Sequence, residues 1–268
     1  TGRLSGLMGA LALPTMRTVW EMARGYGDRD YIVYEDERYT FAEADAIVRA
    51  RAARLVDVHG VQPGDRVALA MRNYPEWMAA YVGITSAGAT VVPLNSWGRA
   101  EELEFALTDA GARTVFCDRQ RHDYIAPRAE ALGLRLVVAR PGDAPLPPRS
   151  SSLEQYIAGA EDAPLPHVDI EPQDVAVIAY TSGTTGKPKG AVSTHRAVCQ
   201  AVMCFECSGI ATAMANPELF GAMMQKGFAP ASLLAVPLFH VSGCYAVFLT
   251  SLRGGRRIVI MYKWDVEP

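Results

Sequence analysis

Tyr180-Thr181-Ser182-Gly183-Thr184-Thr185-Gly186-Lys187-Pro188-Lys189-Gly190 follows the apolar run Val175-Ala176-Val177-Ile178-Ala179. That run is short, rich in β-branched residues and bounded by polar ones, which predicts a buried strand. Glycines, hydroxyl side chains and two lysines crowd into the stretch after it. Glycine lets a backbone take φ > 0 and approach a ligand closely. Backbone N–H groups, hydroxyls and ammonium groups together form a cradle for a polyphosphate. A Walker loop needs four residues between its first glycine and the Gly-Lys pair, then Ser or Thr. Here only Thr184 and Thr185 separate Gly183 from Gly186, and Pro188 follows Lys187. No G-x-G-x-x-G dinucleotide fingerprint is present either.

The loop resembles, residue for residue, the phosphate loop of the acyl-adenylate-forming (AMP-binding) superfamily. That group includes acyl-CoA synthetases such as long-chain fatty-acid–CoA ligases, coumarate–CoA ligases, luciferases and peptide-synthetase adenylation domains. Ser86-Ala87-Gly88-Ala89-Thr90-Val91-Val92-Pro93-Leu94-Asn95 is similar to an earlier structural motif of the family. Pro237-Leu238-Phe239-His240-Val241-Ser242-Gly243 resembles the motif that follows the phosphate loop. With a helix opening at Thr40, these landmarks run in the family's order from Thr40 to Lys263.

Composition reads as that of a soluble globular chain. Of 268 residues 50% are hydrophobic and 21% charged, and the net charge of −3 offers no basic excess for nucleic acid. No uninterrupted apolar run of about 18 residues occurs, so no spanning helix is expected. Met78–Leu94, the most apolar long stretch, is broken by glycines, Ser86 and threonines. Leu4–Leu13 lacks a clear cleavage site and reads as part of the domain rather than a signal peptide. The chain begins at Thr1, so a trimmed start is expected. Five cysteines, an odd number, fit a reducing cytoplasm better than a disulfide framework. Cys199, Cys204 and Cys207, with Cys244 downstream, match an iron–sulfur spacing. They sit in an Ala-, Val- and Met-rich stretch that predicts helix, so they read as small helix residues.

Along the chain, Tyr31–Tyr34 and Arg38–Thr40 predict a hairpin around Glu35-Asp36-Glu37. Thr40-Phe41-Ala42-Glu43 is a capping box opening a helix to Val58, ended by Gly60. Strands are predicted at Val67–Met71, Val91–Pro93, Arg113–Cys117 and Arg135–Ala139. Helices follow Pro75 and span Arg99–Ala110, closed at Gly111. Seven of the seventeen prolines fall between Pro141 and Pro172, predicting a surface connection with a short helix at Leu153–Ala158. A new run begins at the phosphate-loop strand: strand then helix over Ala191–Cys207, strand at Ser232–Val236, helix over Gly243–Leu252 and strand at Arg257–Met261. Strands alternating with helices predict a mostly parallel α/β fold. Two α/β lobes flanked by helices are expected, 61–172 and 173–268, with 1–60 free to pack on the second. The ligand crevice is expected at the carboxyl ends of the strands, where Ser182 and His240 would converge.

The resemblance implies attack of a carboxylate on the α-phosphorus of ATP, giving an acyl-adenylate and pyrophosphate, followed by thioesterification to coenzyme A. It implies that Thr181, Ser182, Gly183, Thr184, Thr185, Gly186 and Lys189 hold the phosphates, with Mg2+ sharing the neutralisation. Lys187 is read as pointing to solvent. Catalytic roles fall on Lys189 and His240, the latter beside the substrate carboxylate. Acyl-substrate contacts fall on His240, Val241, Ser242, Gly243 and Ala246, with Tyr245, Phe248 and Leu249 shared between acyl channel and helix core. Amino-acid-activating relatives place an aspartate where His240 stands. An unpaired ammonium group there is costly, which favours an acid without an α-amino group, such as a fatty acid. Lys263 matches a position that contacts coenzyme A. No metal ligands are assigned; His59, His122 and His167 lack metal spacing and His195 reads as structural.

Family members are about twice as long. An adenine- and magnesium-binding motif, a ribose aspartate, a hinge and a lysine-bearing lid would lie beyond Pro268, so an N-terminal fragment, inactive alone, is expected. An acyl-AMP ligase delivering to a carrier protein or an amine, and a non-catalytic nucleotide- or acyl-binding protein, are the alternatives. Homodimerisation is left open.

Overall fold

The computed structural model describes residues 13–181 and 188–261. Helix α1 (Met16–Ala23) is opened by Thr15, whose hydroxyl accepts from the Thr18 backbone N–H. Strand β1 (Asp30–Tyr34) turns at Glu35, which adopts φ +50°, into β2 (Glu37–Thr40). The capping box forms as the sequence predicts. Thr40 Oγ1 accepts from Glu43 N (3.1 Å) and Glu43 Oε2 accepts from Thr40 N (2.8 Å), starting α2 (Phe41–Asp57).

Then come β3 (Arg66–Ala70), α3 (Pro75–Ser86), β4 (Thr90–Pro93), α4 (Ala100–Ala110), β5 (Thr114–Asp118), α5 (Arg119–Ile125), β6 (Arg135–Ala139), β7 (Ser150–Ser152) and α6 (Leu153–Ile157). Pro75 occupies the first turn of α3, where a missing N–H costs nothing. Gly111 ends α4 in the left-handed conformation that favours glycine (φ +66°). Helix α3 is buried on every face, which its nearly uninterrupted apolar sequence permits. The second half has β8 (Val175–Thr181), β9 (Lys189–Thr194), α7 (His195–Ala215), α8 (Pro217–Gln225) and β10 (Ala231–Leu234). A helical segment over 241–253, π-helical through Cys244–Leu249, then leads to β11 (Arg257–Ile260).

Two sheets result. The larger has the order β7-β6-β5-β3-β4-β8-β9, parallel except for β9. The smaller, β10-β11-β1-β2, is parallel except for the β1–β2 hairpin. The architecture is thus the mostly parallel, helix-flanked α/β arrangement that the alternating pattern predicts.

Sheet membership differs from the division after residue 172. Strand β8 joins the first sheet: Val91 pairs with Val177, and Thr90 Oγ1 donates to the Val175 carbonyl at 2.8 Å. The N-terminal hairpin joins the second, with Ile32 opposite Ile258. The prolines at 141–172 mark a surface excursion, with β7 and α6 inside it, that carries the chain from one edge of the sheet toward the other. Proline signals exposed extended backbone, and that is a different thing from a boundary between cores.

Helix α7 begins in the core and ends outside it. His195, Val198, Cys199, Val202 and Met203 are buried, whereas Ile210 and Met214 are exposed. At 21 residues and a mean hydropathy of 1.4 over its most apolar window, α7 is by length and composition able to cross a membrane. The expectation of no such segment is corrected to that extent; Gly209 and the few polar residues of α7 do not lower its average far enough. Its buried first half and the ion pair of Glu206 with Arg253 tie it to the rest of the fold.

Buried His195 carries a pH consequence. Its Nδ1 accepts from Met16 N at 3.1 Å, so the proton sits on Nε2, which is buried without a partner. Burial lowers its pKa to about 4, with Asp174 opposing. His59, half-buried beside Arg135, is also lowered to about 4. The unfolded chain therefore binds more protons between pH ~6.5 and ~4, and stability falls with pH across that window. The His195 share grows to about 3 kcal/mol below both values. We expect the Tm of wild type to fall between pH 7 and pH 5, and to fall less in His195→Asn, whose Oδ1 can replace Nδ1. Equal slopes would exclude His195 as a source.

Candidate active site at the carboxyl edge of the parallel sheet

Because β3 to β8 run parallel, their carboxyl ends share one edge of the sheet, the usual site of a ligand crevice in such folds. At that edge β8 leads out and the chain returns as β9, with Thr181 opposite Lys189. The candidate phosphate loop thus connects two antiparallel strands, unlike the strand-to-helix Walker loop. Thr181 and Lys189 are exposed at its base, and Thr181 Oγ1 lies 3.4 Å from the Lys189 carbonyl. Tyr180 anchors the exit of β8, donating to Asp109 Oδ2 at 2.7 Å. A Cβ on Gly190 would stand 2.8 Å from Ile178 Cγ2, so packing requires glycine there. Ser182, Gly183, Thr184, Thr185, Gly186 and Lys187 lie outside the described residues, as does Lys263.

The second predicted motif leaves β10 and turns toward the same edge. Asn73, just beyond β3, holds it. Its Nδ2 donates to the Val236 carbonyl and its Oδ1 accepts from Leu238 N, both at 2.9 Å. His240 N donates to the Pro237 carbonyl (3.2 Å), and the His240 carbonyl accepts from Cys244 N (2.8 Å). His240 itself is exposed at the amino end of the helical segment, 4.4 Å ring to ring from Phe239. Phe239 meets Trp97 edge-on at 5.5 Å, and the Arg72 guanidinium lies 5.2 Å over the Trp97 ring.

Gly243 is where the turn and the helix meet most closely. A Cβ there would lie 2.2 Å from the Pro237 carbonyl oxygen, although its φ of −76° is ordinary. Glycine is needed for room, not for conformation. We expect Gly243→Ala to destabilise the protein by about 1–3 kcal/mol, read from denaturant midpoints. A loss near zero would mean that the turn relaxes freely.

A cleft of about 790 Å³ opens between the two sheets, lined by Arg72, Asn73, Trp97, Arg121, Arg140 and Pro237 among others. Its cations are mostly neutralised. Arg119 pairs with Asp123, Arg121 with Asp118, and Arg140 with both Glu37 and Glu76. Arg140 adopts φ +52° and lies about 5 Å from the Tyr34 and Tyr74 rings. The flanking carboxylates raise its pKa against the opposing cost of burial.

A second, apolar groove of about 890 Å³ runs between α7, α8 and the helical segment, with Phe205, Ile210, Met214, Phe220, Ala246 and Thr250 in its wall. Of the five residues expected to touch an acyl group, Ala246 lines it; His240, Val241 and Ser242 are exposed outside it and Gly243 is buried. Tyr245 is buried and within hydrogen-bonding reach of the Ser193 side chain on β9. Phe248 and Leu249 are wholly buried, the helix-core half of their shared reading.

All five cysteines are free thiols. Cys199 faces the core while Cys204 and Cys207 are exposed on the same helix, so the three do not turn toward one centre. Among the described residues no group of three or more His, Cys, Asp or Glu side chains could hold a metal.

Asn73, Trp97, Asp118 and Arg140 were not singled out in the sequence. Asn73 and Asp118 stand at strand ends on the edge where ligands bind, which is a usable signal. Arg140 carries no local sign of its role, because both of its carboxylate partners are distant in sequence.

A family model described as "AMP-binding enzyme" matches residues 19–268. Rice (Oryza sativa subsp. japonica) 4-coumarate–CoA ligase 2 is 29% identical over 239 residues, covering 85% of this chain and 40% of its own length. The long-chain-fatty-acid–CoA ligase FadD13 of Mycobacterium tuberculosis is 31% identical over 220 residues, covering 82% and 39%. The ATP-bound structure of MatB from Rhodopseudomonas palustris superposes with a TM-score of 0.68 at 26% identity, covering 92% of this chain and 46% of that one. The chain therefore spans about 40% of the length of the curated relatives it matches.

Proposed function

Because the chain belongs to the AMP-binding enzyme family, we propose that the native protein carrying it activates a carboxylic acid with ATP. A carboxylate oxygen attacks the α-phosphorus, the bond to the bridging oxygen breaks, and pyrophosphate leaves. The thiol of coenzyme A then displaces AMP from the acyl carbon. The observation that carries this reading is the hairpin stem Thr181–Lys189 at the carboxyl edge of a parallel sheet, with the His240 turn bonded to the same edge through Asn73.

The roles follow from charge. Two anions must meet, so positioning and neutralisation dominate. Thr181, Ser182, Gly183, Thr184, Thr185, Gly186 and Lys189 hold the phosphates, and Lys189 neutralises the departing pyrophosphate. His240 stands by the reacting carboxylate and Lys263 by coenzyme A. Magnesium, held largely by the nucleotide's own phosphates, shares that neutralisation. The acid we propose is a fatty acid, with Val241, Ser242, Gly243 and Ala246 toward its chain. The apolar groove that Ala246 lines supports an aliphatic tail. The named substrates of the rice and mycobacterial relatives, one aromatic and one aliphatic, make the acid the first thing to test.

The test is ATP–pyrophosphate exchange on the native full-length protein across short, long and aromatic acids. Exchange that depends on long-chain acids is expected, and the isolated 268 residues should show none. Folded full-length protein without exchange for any acid would leave a binding role in its place.

A further inference from the structure

We propose that Asn73 is a positioning residue for His240, fixing it relative to the strand that carries the phosphate loop, a role that rests on the reading of His240 given above. Asn73 sits in the link between β3 and α3. Its carboxamide makes the two bonds that a neighbouring strand would make: it donates to the Val236 carbonyl and accepts from Leu238 N, each at 2.9 Å. These bonds bracket Pro237, whose nitrogen has no hydrogen to offer a sheet. Strand β10 has already ended at Leu234, so the segment beyond it has left its own ladder. One side chain stands in for that ladder.

The two sides of this bridge are both stiff. On one, Leu238 is buried (1% exposed), and two backbone bonds, His240 N to the Pro237 carbonyl and Cys244 N to the His240 carbonyl, carry the restraint into the helical segment. On the other, β3 pairs with β4 and β4 with β8, whose end Thr181 opens the phosphate loop. The path from His240 to the loop stem therefore crosses Asn73 and two parallel strand pairings. The chemistry at residue 73 is narrow. Aspartate keeps the acceptor for Leu238 N but sets a negative charge against the Val236 carbonyl. Leucine keeps the shape and loses both bonds. Glutamine keeps the amide and overreaches by one methylene.

The experiment uses the native full-length protein with Asn73→Ala, Asn73→Asp and a control, Leu107→Ala, a core change in α4 away from the bridge. Two readouts are taken: hydrogen–deuterium exchange over 235–244, and kcat and KM for ATP–pyrophosphate exchange. In Asn73→Ala the Leu238 amide and its neighbours should lose protection. The kcat should fall on the order of 100-fold, as for a misplaced reacting group, with KM for ATP little changed. Asn73→Asp should fall between alanine and wild type. Leu107→Ala should lower Tm without this split between kcat and KM. Unchanged Leu238 protection, wild-type kcat in Asn73→Ala, or an equal kcat loss in the control would each overturn the assignment. If wild type shows no exchange with any acid, the proposed function falls by itself, and Leu238 protection still decides whether Asn73 fixes the turn that carries His240.

Discussion

Phe248→Ala should cost about 3–5 kcal/mol of stability, the range for emptying a fully buried aromatic site. Phe248 is 0% exposed in the helical segment and closes an aromatic group with two residues of α3. Trp77 and Tyr81 stack on each other at 5.4 Å, and Phe248 meets them edge-on at 6.2 and 5.8 Å. The electropositive ring edge against the electronegative face adds to simple burial. Collapse around the vacancy is hindered because α3 is buried on all sides and has no free face along which to shift. The same segment begins at His240, so the cavity loosens the platform behind that residue. Urea unfolding of wild type, Phe248→Ala and Phe248→Leu reads the effect, with leucine expected to lose less than alanine because it refills most of the volume. A loss below about 1 kcal/mol for alanine would show that the group does not act as one packed unit.

Local chemistry was legible in the sequence. The Thr40–Glu43 capping box, Pro75 at a first helical turn and Gly111 at a helix end each state a conformation within four residues, and each forms as stated. The strands flanking the candidate phosphate loop were legible for the same reason: strand and return lie within twenty residues of one another. Pairings of high sequence separation were not. Nothing in Val91 announces Val177 as its neighbour, or in Ile32 its place beside Ile258. Both are β-branched residues in buried strands, and many registers would satisfy them equally. The sequence pattern predicts helix only as far as Cys207, and α7 runs on to Ala215 through Gly209, whose cost inside a helix, about 1 kcal/mol, the rest of the helix can carry. Among candidate site residues, His240 was picked out by its motif, whereas Asn73 bonds only to backbone more than 160 residues away. A short polar residue between a strand and a proline reads locally as a turn.

Asp118→Ala should be the most damaging change on the cleft side, at about 3–5 kcal/mol, because it strands a buried charge. Asp118 ends β5 and caps α5, accepting from Arg121 N at 3.0 Å, and its other oxygen accepts from Arg72 N at 2.9 Å. It also holds the Arg121 guanidinium at 3.2 Å, with both side chains no more than 6% exposed. Arg121 keeps the Ser96 carbonyl and the Gln120 side chain as neutral partners after the change, but no counter-ion. Neutral acceptors in a buried site do not replace a carboxylate, and Arg121 Nε already lacks a partner. Losing the helix cap alone accounts for only about 1 kcal/mol of the total. The charge explanation is separable from the cap explanation. Asp118→Asn retains a capping oxygen and removes the charge, and Asp118→Ala with Arg121→Met removes the cap and the stranded guanidinium together. If charge dominates, the double variant is more stable than Asp118→Ala, and asparagine is nearly as harmful as alanine. If capping dominates, asparagine is mild and the double variant recovers nothing. A double-mutant cycle on unfolding free energies distinguishes these outcomes. An Asp118→Ala loss within about 1 kcal/mol of wild type would mean that water reaches Arg121 and that the pair is a surface pair in effect.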